Sequence, residues 1–594
     1  MPDKMETLNQ VYKFVDGRKE FYRSSNEFRE YEKWYNAMHK QYYRIFDNTQ
    51  PGQPEQRNKV FFATVATTVD VSRAFLMELF FQDNFGSVSV KPLPGTSDDV
   101  AWFNKQLLKY YLNLRKSDYK ATLSNVINDT TLYGTGWDFN SWHFEQKMGQ
   151  VAERQKGPLG FVGPTTFRPG LKEVEDRPSV SRLEGMDCFY EPTTYPGRGR
   201  FRGYDFRVPR ATVNSWKDDP RYIKEGVMEL LDKINSKQAS DGDDQTGLKT
   251  GQDIQYIQDD GKDVLITYYE GDLQFKGNDD DMRSYIVYYS NGIVIRIDEN
   301  PWAHGESAMT MYKMQDAPRV AYGMPPALPV LPHALWKNAM YNIRLDNVLM
   351  AQAHQMVVDT NRIDPVEFYN PSIPGVVQAE GNPAAAIYQL QMQDSSHGAF
   401  VDMARLIDED IQKAGVPDQS AGLAGGNNSE TATAATIVQG NANRKLAMEA
   451  RRFSESAQRS LTKMLTNIHQ FMPEEIMIKV NGEDTVINKE DVQGNLEVIV
   501  ENRATTDRQL RLERHMTALQ LLAQATNVYG PQGIDQEFAG KIFEGALKEL
   551  DYDDAEKAIK RPSAELAGGV LPSGGQPTAG GSAGAEQGIS PAEA

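Results

Sequence analysis

Residues 431–471 carry one uninterrupted helical stripe of apolar side chains, and no proline interrupts it. The members of the stripe recur three or four residues apart: Leu446, Ala450, Phe453, Ala457, Leu461, Met464, Ile468 and Phe471. At about 1.5 Å per residue, such a helix is about 60 Å long. A compact monomer rarely needs a helix of this length, so the pattern favours a subunit of a larger assembly.

Residues 1–130 are predicted to be largely α-helical. Aromatic side chains recur every seven positions, at Phe21, Phe28, Tyr35 and Tyr42. This spacing is typical of a long amphipathic helix over residues 6–46, and further helices are predicted over 59–81 and 97–129. We expect the aromatic series and the stripe of the long helix to present more apolar surface than one chain can cover, which favours a ring.

A β-rich region is predicted after Gly134 and Gly136, where short runs of β-branched and aromatic residues begin. The predicted strands cover residues 137–144, 181–190, 200–208, 264–270 and 284–297. The last of these is a hairpin, because Asn291-Gly292 suits the positive φ angles of a type I′ turn. Residues 236–263 are polar and Gly-rich, which is typical of a surface loop.

The C-terminal part returns to helices, which are predicted over 329–354, 399–415, 506–528 and 536–550. The shorter predicted strands cover residues 375–378, 386–391 and 496–500, and a hairpin is predicted over 476–487. Residues after Pro562 are mostly Gly, Ala, Ser and Pro, so we expect a disordered tail.

Composition narrows the possible functions. The chain has 594 residues, 40% of them hydrophobic, and a formal net charge of −18. The length allows about four structural units, and the acidic balance argues against tight DNA binding over the whole surface. The single cysteine, Cys188, excludes disulfide scaffolds and cysteine-ligated metal sites. No signal peptide or long apolar run is present, so we expect a soluble protein or a part of a soluble assembly.

Motifs for catalysis are weak. Gly242 and Gly247 nearly spell a phosphate-binding loop, but Leu248 stands where lysine should follow the second glycine. Acidic clusters at 241–244 and 279–281 do not have the spacing of a calcium loop, and we interpret them as solvated surface. The histidines are scattered, and no G-x-S-x-G motif occurs. We therefore expect a protein that is not an enzyme and has no cofactor or metal.

Charge separates two C-terminal helices. The helix over 399–415 is acidic through Asp402, Asp408, Glu409 and Asp410. The long helix is basic, and its candidate residues for contacts between subunits are Arg444, Arg451, Arg452 and Arg459. Two readings remain open: the two helices present solvated faces of opposite sign, or their charges set the register between neighbouring subunits. Between the helices lies an uncharged stretch with high backbone freedom, Gly425-Gly426-Asn427-Asn428.

The order of these elements resembles that of tailed-bacteriophage portal proteins of the podovirus type. Three stretches carry the resemblance locally: Leu132-Tyr133-Gly134-Thr135-Gly136-Trp137, Ala321-Tyr322-Gly323-Met324-Pro325-Pro326 and Gly415-Val416-Pro417. The resemblance implies an α+β portal-type fold with an α/β wing, a two-helix stem, a small α/β clip, a long helix that crosses the wing, and a helical crown.

Mapped onto this chain, the resemblance implies the following segments. They are the N-terminal wing at 1–325 (helical over 1–130, β-rich over 131–325), the first stem helix at 326–356, the clip at 357–398, the second stem helix at 399–416, the tunnel loop at 417–430, the C-terminal wing at 431–505, the crown at 506–561 and a disordered tail at 562–594.

The resemblance also implies a function. Portal proteins form a ring, expected here to have twelve subunits, at one capsid vertex of the virion, and double-stranded DNA passes through it during packaging and ejection. The implied partners are the major capsid protein, the tail adaptor, the large terminase during packaging, and scaffold and internal core proteins, with assembly in the host cytoplasm. Asp402, Asp408, Glu409, Asp410 and residues 425–428 then become candidates for the DNA channel. The alternatives are a tail adaptor or tail-tube subunit and, in another class, a nucleotide-dependent DNA-packaging enzyme.

Overall fold

A computed structural model describes the protein. The described residues are 7–45, 60–81, 85, 87–114, 117–156, 162–192, 199–235, 263–275, 283–317, 320–352, 355–364, 380–381, 387–390, 397–414, 432–480, 483–500, 514–524, 542–543 and 546. The chain divides into two compact units, residues 1–504 and 505–594.

The first unit contains the helices α1 (Leu8–Arg23), α2 (Asn26–Tyr42), α3 (Thr64–Phe81), α4 (Asp98–Asn113), α5 (Tyr119–Tyr133), α6 (Arg210–Ser215), α7 (Lys224–Asn235), α8 (Leu331–Gln352), α9 (His397–Ala414) and α10 (Ala432–Phe471). A 3-10 turn at Trp216–Asp218 follows α6. In the second unit, residues 514–524 form helix α11.

The strands are β1 (Val88–Pro92), β2 (Thr135–Lys156), β3 (Val162–Leu183), β4 (Cys188–Tyr190), β5 (Phe201–Val208), β6 (Val264–Leu273), β7 (Arg283–Ser290), β8 (Ile293–Glu299), β9 (Met309–Lys313), β10 (Gln315–Asp316), β11 (Gly323–Met324), β12 (Gln355–Val358), β13 (Ile387–Leu390), β14 (Glu475–Val480), β15 (Glu483–Asn488) and β16 (Leu496–Val500). The predicted α+β class is confirmed.

The N-terminal helical region consists of two helices, α1 and α2, separated at residues 24–25. The prediction of a single helix over 6–46 is therefore wrong. α1 begins with a capping box, in which the Thr7 hydroxyl accepts the N–H of Gln10 and the Gln10 side chain accepts the N–H of Thr7. A second helix begins after Ser25, whose hydroxyl accepts the N–H of Phe28 at 3.2 Å. The heptad spacing did not reveal this break, because a serine cap leaves the apolar period unchanged.

Two apolar surfaces that the sequence leaves uncovered are covered within the chain. Phe28 and Tyr35 are buried at 7% and 3% exposure, whereas Phe21 alone of the heptad aromatics is largely exposed. The members of the α10 stripe are also buried, apart from the partly buried Phe471. The expectation that these two features leave apolar surface for a neighbouring subunit is therefore wrong.

The β-rich region forms two main antiparallel sheets. Five strands pair in the order β4-β5-β6-β7-β8, and three pair in the order β3-β2-β9. The predicted β7–β8 hairpin is confirmed, with φ angles of 47° at Asn291 and 85° at Gly292. The structure extends β2 and β3 to 22 residues each, well beyond the predicted ends. The extension was not predicted because residues 145–156 are mostly polar and lack the apolar–polar alternation that marks a half-buried strand.

Other predicted elements are confirmed, with shifted ends. α10 has 40 residues, and the predicted hairpin at 476–487 is the β14–β15 pair. The strand predicted at 496–500 is β16, which pairs with the distant β1. One predicted strand, 181–190, is in fact the end of β3 and the separate β4. The predicted loop at 236–263, the strand at 375–378 and most of the helix at 536–550 lie outside the described residues.

The described residues of the first unit form three apolar clusters. One lies beneath α1, α2 and the five-stranded sheet, the second surrounds the inner face of α10, and the third joins α7 to β6 and β8. Cys188 is buried in the first cluster. Among the described residues, none of the helices has the length and apolar character needed to cross a bilayer. Across those same ranges, His, Cys, Asp and Glu do not gather into a set of three that suits a metal ion.

Candidate functional site

Helices α8 and α9 form an antiparallel pair, which we call the α8–α9 hairpin. The connection between them contains β12 and β13, which pair from Gln355↔Leu390 to Val358↔Ile387. Since β12 directly follows α8 and β13 precedes α9, this pairing brings the end of one helix near the start of the other. The contacts between the helices confirm the antiparallel arrangement, because residues early in α8 meet residues late in α9.

Lys337, Tyr341 and Arg344 of α8 contact α9. The Lys337 ammonium lies 2.5 Å from Asp408 Oδ1, and the Tyr341 ring meets the Phe400 ring edge-on at 5.1 Å. The Arg344 guanidinium lies 5.8 Å from the centroid of the same Phe400 ring. These residues follow one another at intervals of three and four, so they lie on one face of α8. The Lys337–Asp408 pair is partly exposed, and such pairs contribute about 1 kcal/mol or less.

The four candidate acids of α9 have different surroundings. Asp408 faces α8 and pairs with Lys337. Glu409 pairs with Arg405 of its own helix at 3.2 Å. Asp402 and Asp410 are exposed. Asp402 and Glu409 are seven residues apart, so they lie on one side of α9, turned about 100° around the helix axis from Asp408.

The α8–α9 hairpin exposes large apolar side chains. Their exposed fractions are 46% for Leu335, 62% for Trp336, 55% for Ile343, 37% for Leu345, 50% for Leu349, 50% for Val401, 48% for Met403 and 61% for Leu406. Apolar surface of this extent on a two-helix element marks an interaction face. This face was not predicted from the sequence. The available signal was the apolar content of α8, which spreads over more than one side of the helix.

The candidate basic residues lie along α10. Arg452 reaches Asp316 at 3.2 Å and Glu455 at 3.4 Å. Arg451 is 81% exposed at its side chain and lies 3.6 Å from Glu455. Arg459 is near enough to Lys313 to contribute to the lowered pKa of that amine, although burial is the larger cause. Arg444 is helical, but its side chain is outside the described part of the chain, as are residues 425–428.

A buried polar junction attaches α10 to the three-stranded sheet. The Asp138 carboxylate accepts hydrogen bonds from Tyr312 (2.6 Å) and Ser460 (2.5 Å). Lys463, one turn further along α10, donates to the Met309 carbonyl at 3.0 Å. Burial raises the pKa of Asp138 despite these hydrogen bonds. Burial also lowers the pKa of Lys463 to about 8.

In this junction Asp138 and Ser460 are 322 positions apart in the chain, so no local sequence motif predicts it. Removing one partner would leave a buried carboxylate short of donors, which costs about 1–3 kcal/mol or more. The junction therefore fixes where α10 crosses the sheet. It is a structural feature, and nothing in it suggests chemistry on a substrate.

Comparison with known proteins defines the class to which this fold and this exposed hairpin belong. A family model described as phage SU10 portal protein matches residues 217–588. The match takes in more than half of the chain, and the chain therefore belongs to this family of bacteriophage portal proteins. The search of curated proteins found no match.

Family membership carries several consequences. Portal proteins are structural proteins of the virion and are not enzymes. Membership also implies a homo-oligomeric ring that interacts with capsid and tail, and a place at the capsid vertex. Residues 217–588 include α8, α9 and α10, whereas α1–α5 precede the matched region.

Proposed function

We propose that this protein forms a ring-shaped conduit for double-stranded DNA at one capsid vertex, used in genome packaging, retention and ejection. The observation that carries the proposal is the match to a portal family over residues 217–588. The exposed apolar face of the α8–α9 hairpin supports it, because a ring supplies the neighbouring surface that such a face needs.

The proposed architecture follows the portal plan. Residues 1–325 and 431–505 form the wing, 326–356 and 399–416 the two stem helices, 357–398 the clip, 417–430 the tunnel loop, 506–561 the crown and 562–594 a disordered tail. The antiparallel packing of α8 and α9, with β12 and β13 between them, is compatible with a stem that ends in a small clip.

The exposed acids of α9 suit a channel surface. Asp402 and Asp410 are exposed, and each chain carries a net charge of −18. Carboxylates offer no favourable partner to phosphates, so DNA can slide past them without being held. The side of α9 that carries Asp402 and Glu409 is the one that we assign to the channel. Asp408 is not assigned to the channel, because it pairs with Lys337 of α8.

Contacts between subunits are assigned to α10 and to the hairpin. Arg444, Arg451, Arg452 and Arg459 are the proposed charged contacts. Surface ion pairs such as Arg451–Glu455 contribute little within one chain, so they can be exchanged for a partner on a neighbouring copy. Residues 425–428, which carry no charge, would touch passing DNA from the tunnel loop.

The partners follow from this assignment. The large terminase binds the ring during packaging and is later replaced by the tail adaptor, while the major capsid protein surrounds it. Scaffold and internal core proteins are further partners during assembly in the host cytoplasm.

Imaging of the purified full-length protein tests the proposal. We expect closed rings with a central channel in electron micrographs and a solution mass that is a fixed multiple of the chain mass. A protein that stays monomeric at micromolar concentration, and forms no ring when capsid partners are added, would contradict it. A stacked tube without a wing would favour the tail-tube alternative, and nucleotide hydrolysis by the pure protein would favour a packaging enzyme.

A further inference from the structure

Residues 60–62, which we call the strap, run along α8 just before α3 begins. The Val60 N–H donates to Asn342 Oδ1 at 2.8 Å, and Asn342 Nδ2 donates back to the Val60 carbonyl at 3.2 Å. The Phe62 N–H donates to Asn338 Oδ1 at 3.0 Å. Asn338 and Asn342 are buried, at 6% and 1% exposure. The amide groups of two buried asparagines therefore hydrogen-bond to the backbone of the strap.

The spacing of the two asparagines explains the fit. Two residues of extended chain advance about 6.6 Å, and four residues of helix rise about 6 Å. Asn338 and Asn342, four residues apart, can thus meet every second residue of a strand-like segment. Asn338 also donates to Gln41 of α2 at 3.3 Å, so the same side chain ties the strap, α8 and the N-terminal helices together.

Phe62 contacts Lys337 and Tyr341, two of the α8 residues that contact α9. Its ring lies 4.5 Å from the Tyr341 ring, and the Lys337 ammonium lies 5.1 Å from its centroid. On their other sides, Tyr341 meets Phe400 and Lys337 meets Asp408. Two series of contacts therefore connect the strap to α9 through α8. One is aromatic and passes through Tyr341, and the other passes through Lys337.

The strap is also firmly connected at its other end. It continues directly into α3, where Ser72 donates to Glu449 of α10 at 3.3 Å. Asp70, also on α3, accepts a hydrogen bond from Tyr42 of α2 at 3.1 Å. A displacement of α3 relative to α8 would therefore pull on the strap.

We propose that the strap is a latch that sets how α9 packs on α8 and couples the position of the α8–α9 hairpin to α2 and α3. While Phe62 is seated, it restricts Lys337 and Tyr341 to the orientations that reach Asp408 and Phe400. When the strap leaves α8, both residues gain freedom, and α9 loses its fixed position. This inference concerns the packing of the hairpin and does not depend on what passes through the ring.

Hydrogen–deuterium exchange on the full-length assembled protein tests the latch. In the double variant Asn338→Ala/Asn342→Ala, the amides of Val60 and Phe62 lose their acceptors. We expect their exchange, and that of α9, to rise roughly threefold or more. The control is Asn113→Ala, which removes an exposed asparagine whose amide donates to the Lys109 carbonyl of its own helix at 3.0 Å; this variant should change neither exchange rate.

Two further variants separate the steps. Lys337→Met keeps an unbranched side chain but removes the ion pair with Asp408, so it should speed exchange in α9 and leave the Val60 and Phe62 amides slow. Phe62→Leu keeps an apolar side chain but removes the ring, so it should also speed exchange in α9, and it serves if the double variant does not assemble. If exchange in α9 is unchanged in the double variant or in Phe62→Leu, the latch is wrong. Unchanged exchange at Val60 and Phe62 in the double variant would do the same.

Discussion

Gly134 and Gly323 lie back to back, so close that neither position can hold a side chain. A β-carbon added at Gly134 would lie 2.4 Å from the Gly323 carbonyl oxygen, and one added at Gly323 would lie 2.2 Å from the Gly134 oxygen. The Gly323 N–H donates to the Thr135 hydroxyl at 2.9 Å. The contact joins two of the stretches of sequence that resemble portal proteins, and it places the end of α5 beside the segment that leads to α8.

This close approach predicts a large loss of stability in Gly134→Ala. The glycine has a φ of 80°, which alanine adopts only with strain, and the new methyl group would collide with backbone that cannot move aside. We expect a loss of about 2–4 kcal/mol, seen as a clear drop in the thermal midpoint. Gly292→Ala is the matched control, since its φ is 85° but open space surrounds it. Equal midpoints for the two variants would contradict the role of the close contact.

The exposed face of the α8–α9 hairpin predicts an assembly defect in Trp336→Glu. Trp336 is 62% exposed in the isolated chain, so the substitution should leave the chain folded and put a charge into the contact with a neighbouring copy. Mass measurement in solution should show rings for the wild type and smaller species for the variant. Met228→Glu changes a 41% exposed residue of α7 and should still form rings. Normal rings in Trp336→Glu would mean that another surface joins the subunits.

The channel assignment of Asp402 predicts slower DNA movement in Asp402→Lys. A lysine at this exposed position would attract phosphates and release counterions, so the passage of DNA should slow most at low salt. The rate of packaging into capsids that carry the variant ring measures the effect. Asp232→Lys makes the same charge change on the exposed side of α7 and is the control. If Asp402→Lys prevents ring formation instead, the residue faces a neighbouring subunit.

The tunnel-loop assignment predicts a defect that is separate from assembly. Deleting residues 424–428 removes an uncharged, Gly- and Asn-rich stretch, so ring formation should remain intact. Retention or translocation of DNA should fall, because the narrowest contact with the duplex is lost. Particle imaging and the DNA content of filled capsids give the two readouts. Normal packaging and retention in the deletion variant would remove the assignment.

His469 predicts a loss of stability in acid. Burial lowers its pKa from 6.5 to about 4, and its Nε2 lies 2.5 Å from Asn104 Oδ1. Between these two values the unfolded chain binds a proton that the folded chain does not. Stability is therefore highest above pH 6.5 and falls as the pH drops toward 4, by about 2–3 kcal/mol for this group. Thermal midpoints across this range should fall less steeply in His469→Gln than in the wild type, and a parallel fall in both would contradict the prediction.

Local patterns were enough for several elements. The extent of α10 follows from an apolar period that no proline interrupts, and the β7–β8 turn follows from the preference of Asn291-Gly292 for positive φ. The conformations involved depend on residues a few positions apart. The family also follows from the order of such elements, as the match over 217–588 confirms.

The candidate site was less predictable. The acidic character of α9 is visible in the sequence, but the partner that separates Asp408 from its neighbours, Lys337, lies 71 positions earlier. The contact between Asn342 and Val60 spans 282 positions. No local pattern marks such pairs, because either residue could equally well face water.

The sequence by itself therefore determined the long helix α10, the two hairpins, the acidic character of the chain and the family to which it belongs. Only the tertiary structure decided which apolar faces are covered. The aromatic heptad and the α10 stripe are covered by the chain itself, whereas Trp336 and Leu406 of the α8–α9 hairpin remain exposed. The physical reason is that an apolar period shows that a face must be buried, while the surface that buries it depends on contacts between distant parts of the chain.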